Sequence, residues 1–279
     1  MCNYYYTANP PLAVSLPLSG KSRTQGFCFS RGEYMSKCYE PSHRVIKRTA
    51  IMVDGGFYRR RAQYHWGDKT AEARANELFD YCMKLLHDKH EYRELYRIFY
   101  YDCPPMAKKV YHPFLKRQVD FGKTDLFTWT NEFFSQLKAK RKVALRLGVL
   151  SESQAHYTIR PLVVKKLCSG ALTFDALTED DFMLNLDQKG VDMKIGIDIT
   201  SLAYKHLVDQ IILISGDSDF VPAAKLARRE GIDFILAPME ATIKPELHEH
   251  IDGLINRISK RVSDSPESES CDDSSKADE

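Results

Sequence analysis

Short β-branched runs alternate along this chain with segments of helical period, and that alternation restricts the fold more than any other feature. Thr49 to Val53 is an apolar strand closed by the turn residues Asp54, Gly55 and Gly56. Leu78, Cys82 and Leu85, with Phe79 and Leu86 alongside, follow helical spacing, and Leu95 to Tyr101 reads as a second strand ending at Asp102-Cys103-Pro104-Pro105. Phe133, Phe134 and Leu137 mark another helix, after which residues 143–149 alternate strictly as an amphipathic strand. Ile195, Ile199, Leu202 and Ala203 then share one helix face, followed by the strand Gln210 to Ile214, a helix carrying Phe220, Ala223, Ala224 and Ala227, and the strand Ile232 to Leu236. The spacing of Leu247, Ile251, Leu254, Ile255 and Ile258 predicts a last helix. Residues 151–187 are less regular, with Leu162 to Val164 read as a strand and Leu177 to Leu186 as a helix. Such a succession predicts a doubly wound parallel sheet with helices on both faces, an α/β domain over about residues 48–261.

The ends of the chain read differently. Residues 1–47 lack periodicity and hold six Lys/Arg against two Glu, a basic N-terminal extension expected to be poorly ordered. Residues 262–279 turn to Ser, Asp and Glu and read as a disordered acidic tail. The formal net charge of +2 hides this asymmetry and permits a polyanionic partner without demanding one. No apolar run approaches the length of a membrane span, and Pro10, Pro11 and Pro17 interrupt the first apolar residues without a preceding cation, so the expectation is a cytoplasmic protein with no membrane partner. Seven widely spaced cysteines form no C-x-x-C pair, which disfavours a disulfide framework; Cys28, Cys38 and His43 make only a weak zinc triad. A homo-oligomer is compatible with the sequence.

In an open parallel sheet, ligands collect beyond the carboxyl ends of the strands. Asp54 follows the first strand directly, and Asp217 and Asp219 follow the strand Gln210 to Ile214 in the segment SGDSDF, whose Ser215, Gly216 and Ser218 leave room beside the backbone. Asp192, in QKGVD, opens the next helix; Asp198 lies six residues on and does not share its helix face. Carboxylates sharing a crevice repel one another unless a cation joins them, and oxygen-only donors suit Mg²⁺ or Mn²⁺ better than zinc. Each acid also has a plainer role open to it, since Asp after a strand or before a helix is a natural cap or turn former. Position 56 is Gly, which removes the Asp-x-Asp of haloacid dehalogenase phosphatases, and DGGFYRRR does not supply a dinucleotide-binding G-x-G-x-x-G. Toprim domains share the Asp-x-Asp pair but place Glu after the first strand. His248, Glu249 and His250 diverge around a helix and read as a solvated face.

Three segments carry a family resemblance: IMVDGG at 51–56, KGVDMKIGIDI at 189–199 and IILISGDSDFVPAAKLARREG at 211–231. Together they resemble the NYN domains, a branch of the PIN-like nucleases, loosely over about 49–258 and closely over 188–237. The resemblance implies a PIN-like α/β fold whose acidic cluster binds Mg²⁺ or Mn²⁺ and hydrolyses RNA phosphodiesters. Carried over by position, the acidic set is Asp54, Asp192, Asp217 and Asp219, with Ser215 supporting the loop. The chain departs from the pattern at Phe57, where the family commonly has Asn, and the long span from Asp54 to Asp192 implies an insertion within about 103–187.

For RNA, the sequence offers Lys138, Lys140, Arg141, Lys142 and Arg146, five cations in nine residues with no acid among them. A second group, Lys108, Lys109, Lys116, Arg117 and Lys123, is interleaved with Tyr111, Phe114 and Phe121. Cations neutralise phosphates while aromatic rings stack on bases, although the same pattern also describes a solvated helix-to-strand junction. The leading expectation is a metal-dependent endoribonuclease. The alternative, favoured by Phe57, is an RNA-binding or regulatory module that keeps the fold with little or no hydrolysis.

Overall fold

The computed structural model describes residues 45–88 and 91–258. The readings at Cys28, Cys38, His43 and residues 262–279 lie outside them, as does all of the N-terminal extension but its last three residues. In its first half the chain runs β1 (Ile46–Asp54), α1 (Gly55–Trp66), α2 (Ala71–Leu86), β2 (Tyr92–Asp102), β3 (Lys109–His112), β4 (Arg117–Asp120), α3 (Asp125–Ala139), β5 (Val143–Leu147) and β6 (Val149–Leu150). Then follow β7 (His156–Ile159), α4 (Pro161–Cys168), β8 (Phe182–Asn185), β9 (Gln188–Lys189), α5 (Val191–Tyr204), β10 (Gln210–Ile214), α6 (Val221–Arg229), β11 (Asp233–Leu236), α7 (Pro245–His248) and β12 (Gly253–Leu254).

Six strands form one sheet in the order β12-β11-β10-β1-β2-β5, and every pairing is parallel. Both faces of its centre are dry, which is why β1 and β10 read as unbroken apolar runs rather than as alternating ones. Ile51 and Val53 face one layer with α1, α2 and α3; Ala50 and Met52 face the other with α5 and α6. All four of these β1 side chains are fully buried. At about 1.5–3 kcal/mol for each large apolar side chain removed from water, the two layers supply the main drive for folding. The α/β doubly wound architecture expected from the alternation is therefore the architecture found.

Between β2 and α5 the chain adds the antiparallel hairpin β3–β4 and a second antiparallel pair, β7 with β8. They share a small core of Met106, Val110 and Ala155, with Phe121, Tyr157 and Leu184 packed against it.

Five local readings change. The Asp54-Gly55-Gly56 turn is instead the direct entry to α1, a helix hidden in the sequence by three consecutive arginines, with only Gly55, Tyr58 and Ala62 buried. Leu162 to Val164 is helical, because Pro161 sits in the first turn, where its fixed φ and missing N–H are tolerated. Within 177–186 the expected helix is a single 3₁₀ turn closed by a Thr178–Asp181 capping box, followed by β8. The last predicted helix stops at His248, and β12 adds two residues to the edge of β11. There Asp252 decides the outcome: its carboxylate accepts from Phe234 N at 2.9 Å and from Arg228 Nε at 2.8 Å, while its own N–H donates to Phe234 O at 2.7 Å. Pairing a sheet edge outweighs a periodicity that Gly253 already weakens. Ile46 and Lys47, assigned by sequence to the extension, belong to β1.

At the amino ends of the central strands a polar clamp ties the sheet together. Lys47 Nζ lies 2.8 Å from both Glu91 Oε1 and Asp233 Oδ2, and Gln210 Nε2 donates to Asp233 at 2.7 Å. The hydrogen bond from Lys47 holds the Glu91 carboxyl below its ordinary value, with Arg93 and Gln210 adding to the effect against partial burial. Because the folded pKa is depressed, the stability it contributes is complete above the ordinary Glu value of about 4.3 and is lost as pH falls through the folded value. Since the clamp is about one-third exposed, Glu91→Gln should lower Tm at pH 7 by about 1–2 °C, with the gap closing toward about pH 3. Thermal melts across that range test this, and a gap that does not change with pH would mean that the pair adds nothing.

Candidate active site

Strand order reverses between β1 and β10, since β1 leads outward to β2 and β5 while β10 leads the other way to β11 and β12. The carboxyl ends of these two strands therefore flank a crevice, the place where open α/β sheets bind ligands. Asp54 ends β1. Its Oδ1 accepts from Phe57 N at 3.1 Å, capping α1, and its Oδ2 accepts from Ser215 Oγ at 3.2 Å. Ser215, fully buried at the end of β10, in turn accepts from Asp217 N at 3.3 Å. Asp217 caps the following 3₁₀ turn by accepting from Asp219 N at 3.1 Å. Capping and site roles thus coincide in Asp54 and Asp217: each spends one oxygen on the backbone.

Asp192 is not a cap. Gly190 holds that position with φ 81°, a left-handed conformation that favours glycine, and Asp192 lies in the first turn of α5. Partial burial raises the Asp192 pKa, and the charges of Asp54, Asp217 and Asp219 raise it further. Burial likewise pushes Asp54 up, against the hydrogen bonds from Phe57 and Ser215. Asp192 therefore stands within reach of the charges of the three other acids. Among the described residues, no three His, Cys, Asp or Glu are grouped closely enough to cage an ion as they stand.

A cavity of about 900 Å³ opens beside the cluster, lined by Asp54, Asp192 and Asp217 together with Arg59, Arg60 and Trp129. Asp219 faces an adjoining groove of about 570 Å³ between α5 and α6, which Asp192 also lines. Asp198 is turned away, accepting from Tyr101 Oη at 2.8 Å and from Arg146 Nε at 3.0 Å.

Sequence reasoning missed three acids that line the cavity, Asp68, Asp102 and Asp125, of which Asp102 alone is buried. Asp102 ends β2 and is buried, accepting from Tyr100 Oη at 3.0 Å, Cys103 N at 2.8 Å and Arg59 Nη2 at 3.1 Å. Burial raises its pKa, opposed by Arg59. The signal was present in the sequence, because Asp102 terminates its strand as Asp54 does. Close approach explains the glycine between them: a Cβ at Gly55 would stand 2.6 Å from Tyr101 O and 2.7 Å from Asp102 Oδ2.

The cations singled out by sequence sit elsewhere. Lys138, Lys140, Arg141 and Lys142 lie at the turn between α3 and β5, at the amino end of a strand whose carboxyl end adjoins the crevice. Lys140 Nζ donates to Asn76 Oδ1 at 2.6 Å, Lys142 Nζ donates to Leu95 O, and Arg146 pairs with Asp198. In the second group, Lys108 donates to Glu152 O and Lys109 pairs with Asp120. His248 and Glu249 are exposed at the end of α7, as expected of a solvated face.

Phe57 packs under the acidic loop. A Cβ at Gly216 would meet its ring at 2.9 Å, and the ring leans on the core formed by α1, α2 and α3. Its backbone N–H still serves Asp54. Phe57→Asn should therefore lower stability by about 2 kcal/mol, less than the cost at a fully buried Phe, without raising turnover on RNA. Thermal melting and turnover measured together test this; raised turnover with unchanged melting would contradict the packing role.

The model of the NYN domain matches residues 131–257. No curated protein is significantly similar to the chain. Among solved structures, a Vibrio parahaemolyticus protein of unknown function is similar at 15% identity and a TM-score of 0.40, over 77% of this chain and 94% of that one. A parallel six-stranded sheet with acids at its switch point agrees with that match: residues 131–257 read as an NYN domain, and the fold is the α/β, PIN-like one that the three segments resemble.

Proposed function

We propose that this protein is a metal-dependent endoribonuclease that hydrolyses RNA phosphodiester bonds at the crevice formed by Asp54, Asp192 and Asp217, with Asp219 at its lip. The observation that carries the reading is the like-charged cluster: Asp192 is pushed up by burial and by the charges of Asp54, at the end of β1, and of Asp217 and Asp219, which share the loop after β10. Oxygen-only donors with no cation paired directly to any of the four fit a hard divalent ion, Mg²⁺ or Mn²⁺. When bound, such an ion supplies Lewis acidity toward a phosphoryl oxygen and acidifies water. The chain's own residues do the rest. Asp54 is held rigid by two hydrogen bonds, and Ser215 fixes the loop carrying Asp217. Arg60 lines the same crevice, and its charge reaches Asp54 and opposes the rise in its pKa.

RNA is the partner this reading requires, and we take the crevice, rather than the Lys138 to Lys142 turn, as its path. No helix among the described residues is long and apolar enough to cross a membrane.

Asp217→Asn removes one charge but keeps an oxygen that can cap the turn, so the fold should survive. Cleavage of labelled single-stranded RNA in Mn²⁺ or Mg²⁺ should fall by at least about 100-fold, with Tm little changed. Asp54→Asn and Asp192→Asn should behave alike, and EDTA should abolish cleavage by the unaltered protein. Equal cleavage by Asp217→Asn and the unaltered chain would sink the assignment. RNA binding without cleavage in either metal would instead support the module reading, for which the Phe57 substitution speaks.

A further inference from the structure

Arg59 and Asp102 form a pair beside the acidic cluster that the cluster itself does not use. Asp102 is 2% exposed and already accepts from Tyr100 Oη and Cys103 N, so its carboxylate is satisfied on three sides once Arg59 Nη2 joins it. The arginine is not. A guanidinium carries five N–H donors, and among the described residues Arg59 makes one hydrogen bond, at 3.1 Å, with 29% of its side chain open on the crevice wall. The pair lies close to Asp54 in space, because Gly55, the residue after Asp54, comes within contact distance of Asp102 Oδ2. An ion pair serving packing alone would bury both partners. Here only the acid is buried, and it anchors one edge of a rigid donor fork whose other edge faces a cavity lined by acids.

We propose that Arg59, held by Asp102, is a positioning residue for an RNA phosphate adjoining the one at the acidic cluster, an inference that rests on RNA being the substrate of this crevice. Arginine suits the task because its planar fork can grip two phosphoryl oxygens while Asp102 fixes its orientation. It also offers a positive charge next to a site whose own side chains would repel the strand. Asp102 acts through Arg59 and does not touch the RNA.

The test is fluorescence anisotropy of a labelled single-stranded RNA with the full chain carrying Asp217→Asn, in Mg²⁺ and over a range of salt, with Tm recorded for every variant. On that background Arg59→Gln should raise Kd about tenfold and reduce the slope of log affinity against log salt by about 1, because one phosphate contact is lost. Arg59→Lys should keep the slope but lose affinity severalfold, since the charge remains and the fork does not. Asp102→Asn should do the same by releasing the arginine. If Arg59→Gln fails to fold, Arg59→Lys carries the test. Unchanged Kd and slope in the Arg59 variants, with only Tm lowered, would overturn the proposal by making the pair structural. An equal loss in Lys138→Gln/Arg141→Gln, whose charges lie at the other end of the sheet, would overturn it too, by showing diffuse attraction only. These outcomes are separable from the nuclease reading: Arg59-dependent binding by a chain that never cleaves leaves the phosphate subsite standing, whereas cleavage with Arg59-independent binding removes the subsite alone.

Discussion

The hydrogen bond from the buried Ser215 hydroxyl to Asp54 is the constraint on which the site depends. It crosses the switch point of the sheet, joining the carboxyl ends of two strands that are 161 residues apart in sequence. Without it, Asp54 would still cap α1 and β1 would still pair with β10, but the carboxylate itself would lose its side-chain link to the loop of Asp217. With it, a carboxylate, a hydroxyl and an amide form a chain that sets the spacing of two acids before any ligand arrives. The serine is also small enough to leave the loop above it open, and Gly216 lets the Phe57 ring fill the space below.

Holding acids together in this way costs stability, and the structure compensates for it by distance rather than by local pairing. Of the cations lining the crevice, Arg60 alone reaches the cluster by charge, at Asp54, while Arg59 goes to Asp102 and Lys69 to Glu77. Stability is supplied instead by the two apolar layers and by the polar clamp at the far ends of the same strands, around Lys47, Glu91 and Asp233. The sheet therefore has a stabilising end and a strained, like-charged end, a division common where function asks for groups that folding alone would not assemble.

Most of the frame was legible because it is written in buried runs. Gln210 to Ile214 matched its strand residue for residue, and Asp54 and Asp217 reached one crevice because strand ends can be located from such runs, whereas Asp192 joined them from the start of a helix. What escaped had physical reasons. Helix α1 buries only Gly55, Tyr58 and Ala62, so it leaves almost no periodic trace. Asp102 passed unnoticed because Arg59, its one partner distant in the chain, meets it only after β2 pairs with β1 and α1 folds back. The cation run from Lys138 misled because charge density along the chain says nothing about which end of a strand it occupies; pairing of Val143 with Ile98 settles that. Residues 151–187 resisted reading because their short strands pair locally over a core of few side chains, where tertiary contact decides between helix and strand.

The two-residue strand β12 has a consequence for the integrity of the whole molecule. It is the outermost cover of β11, and Asp252 just before it satisfies the Phe234 amide that would otherwise face solvent. A chain cut short of Asp252 would leave β11 as an apolar strand with an open row of hydrogen-bonding groups, a template for self-association. So brief a segment, contributing little to the core, thus works as a guard against aggregation, and its loss would be felt in solubility before it was felt in chemistry.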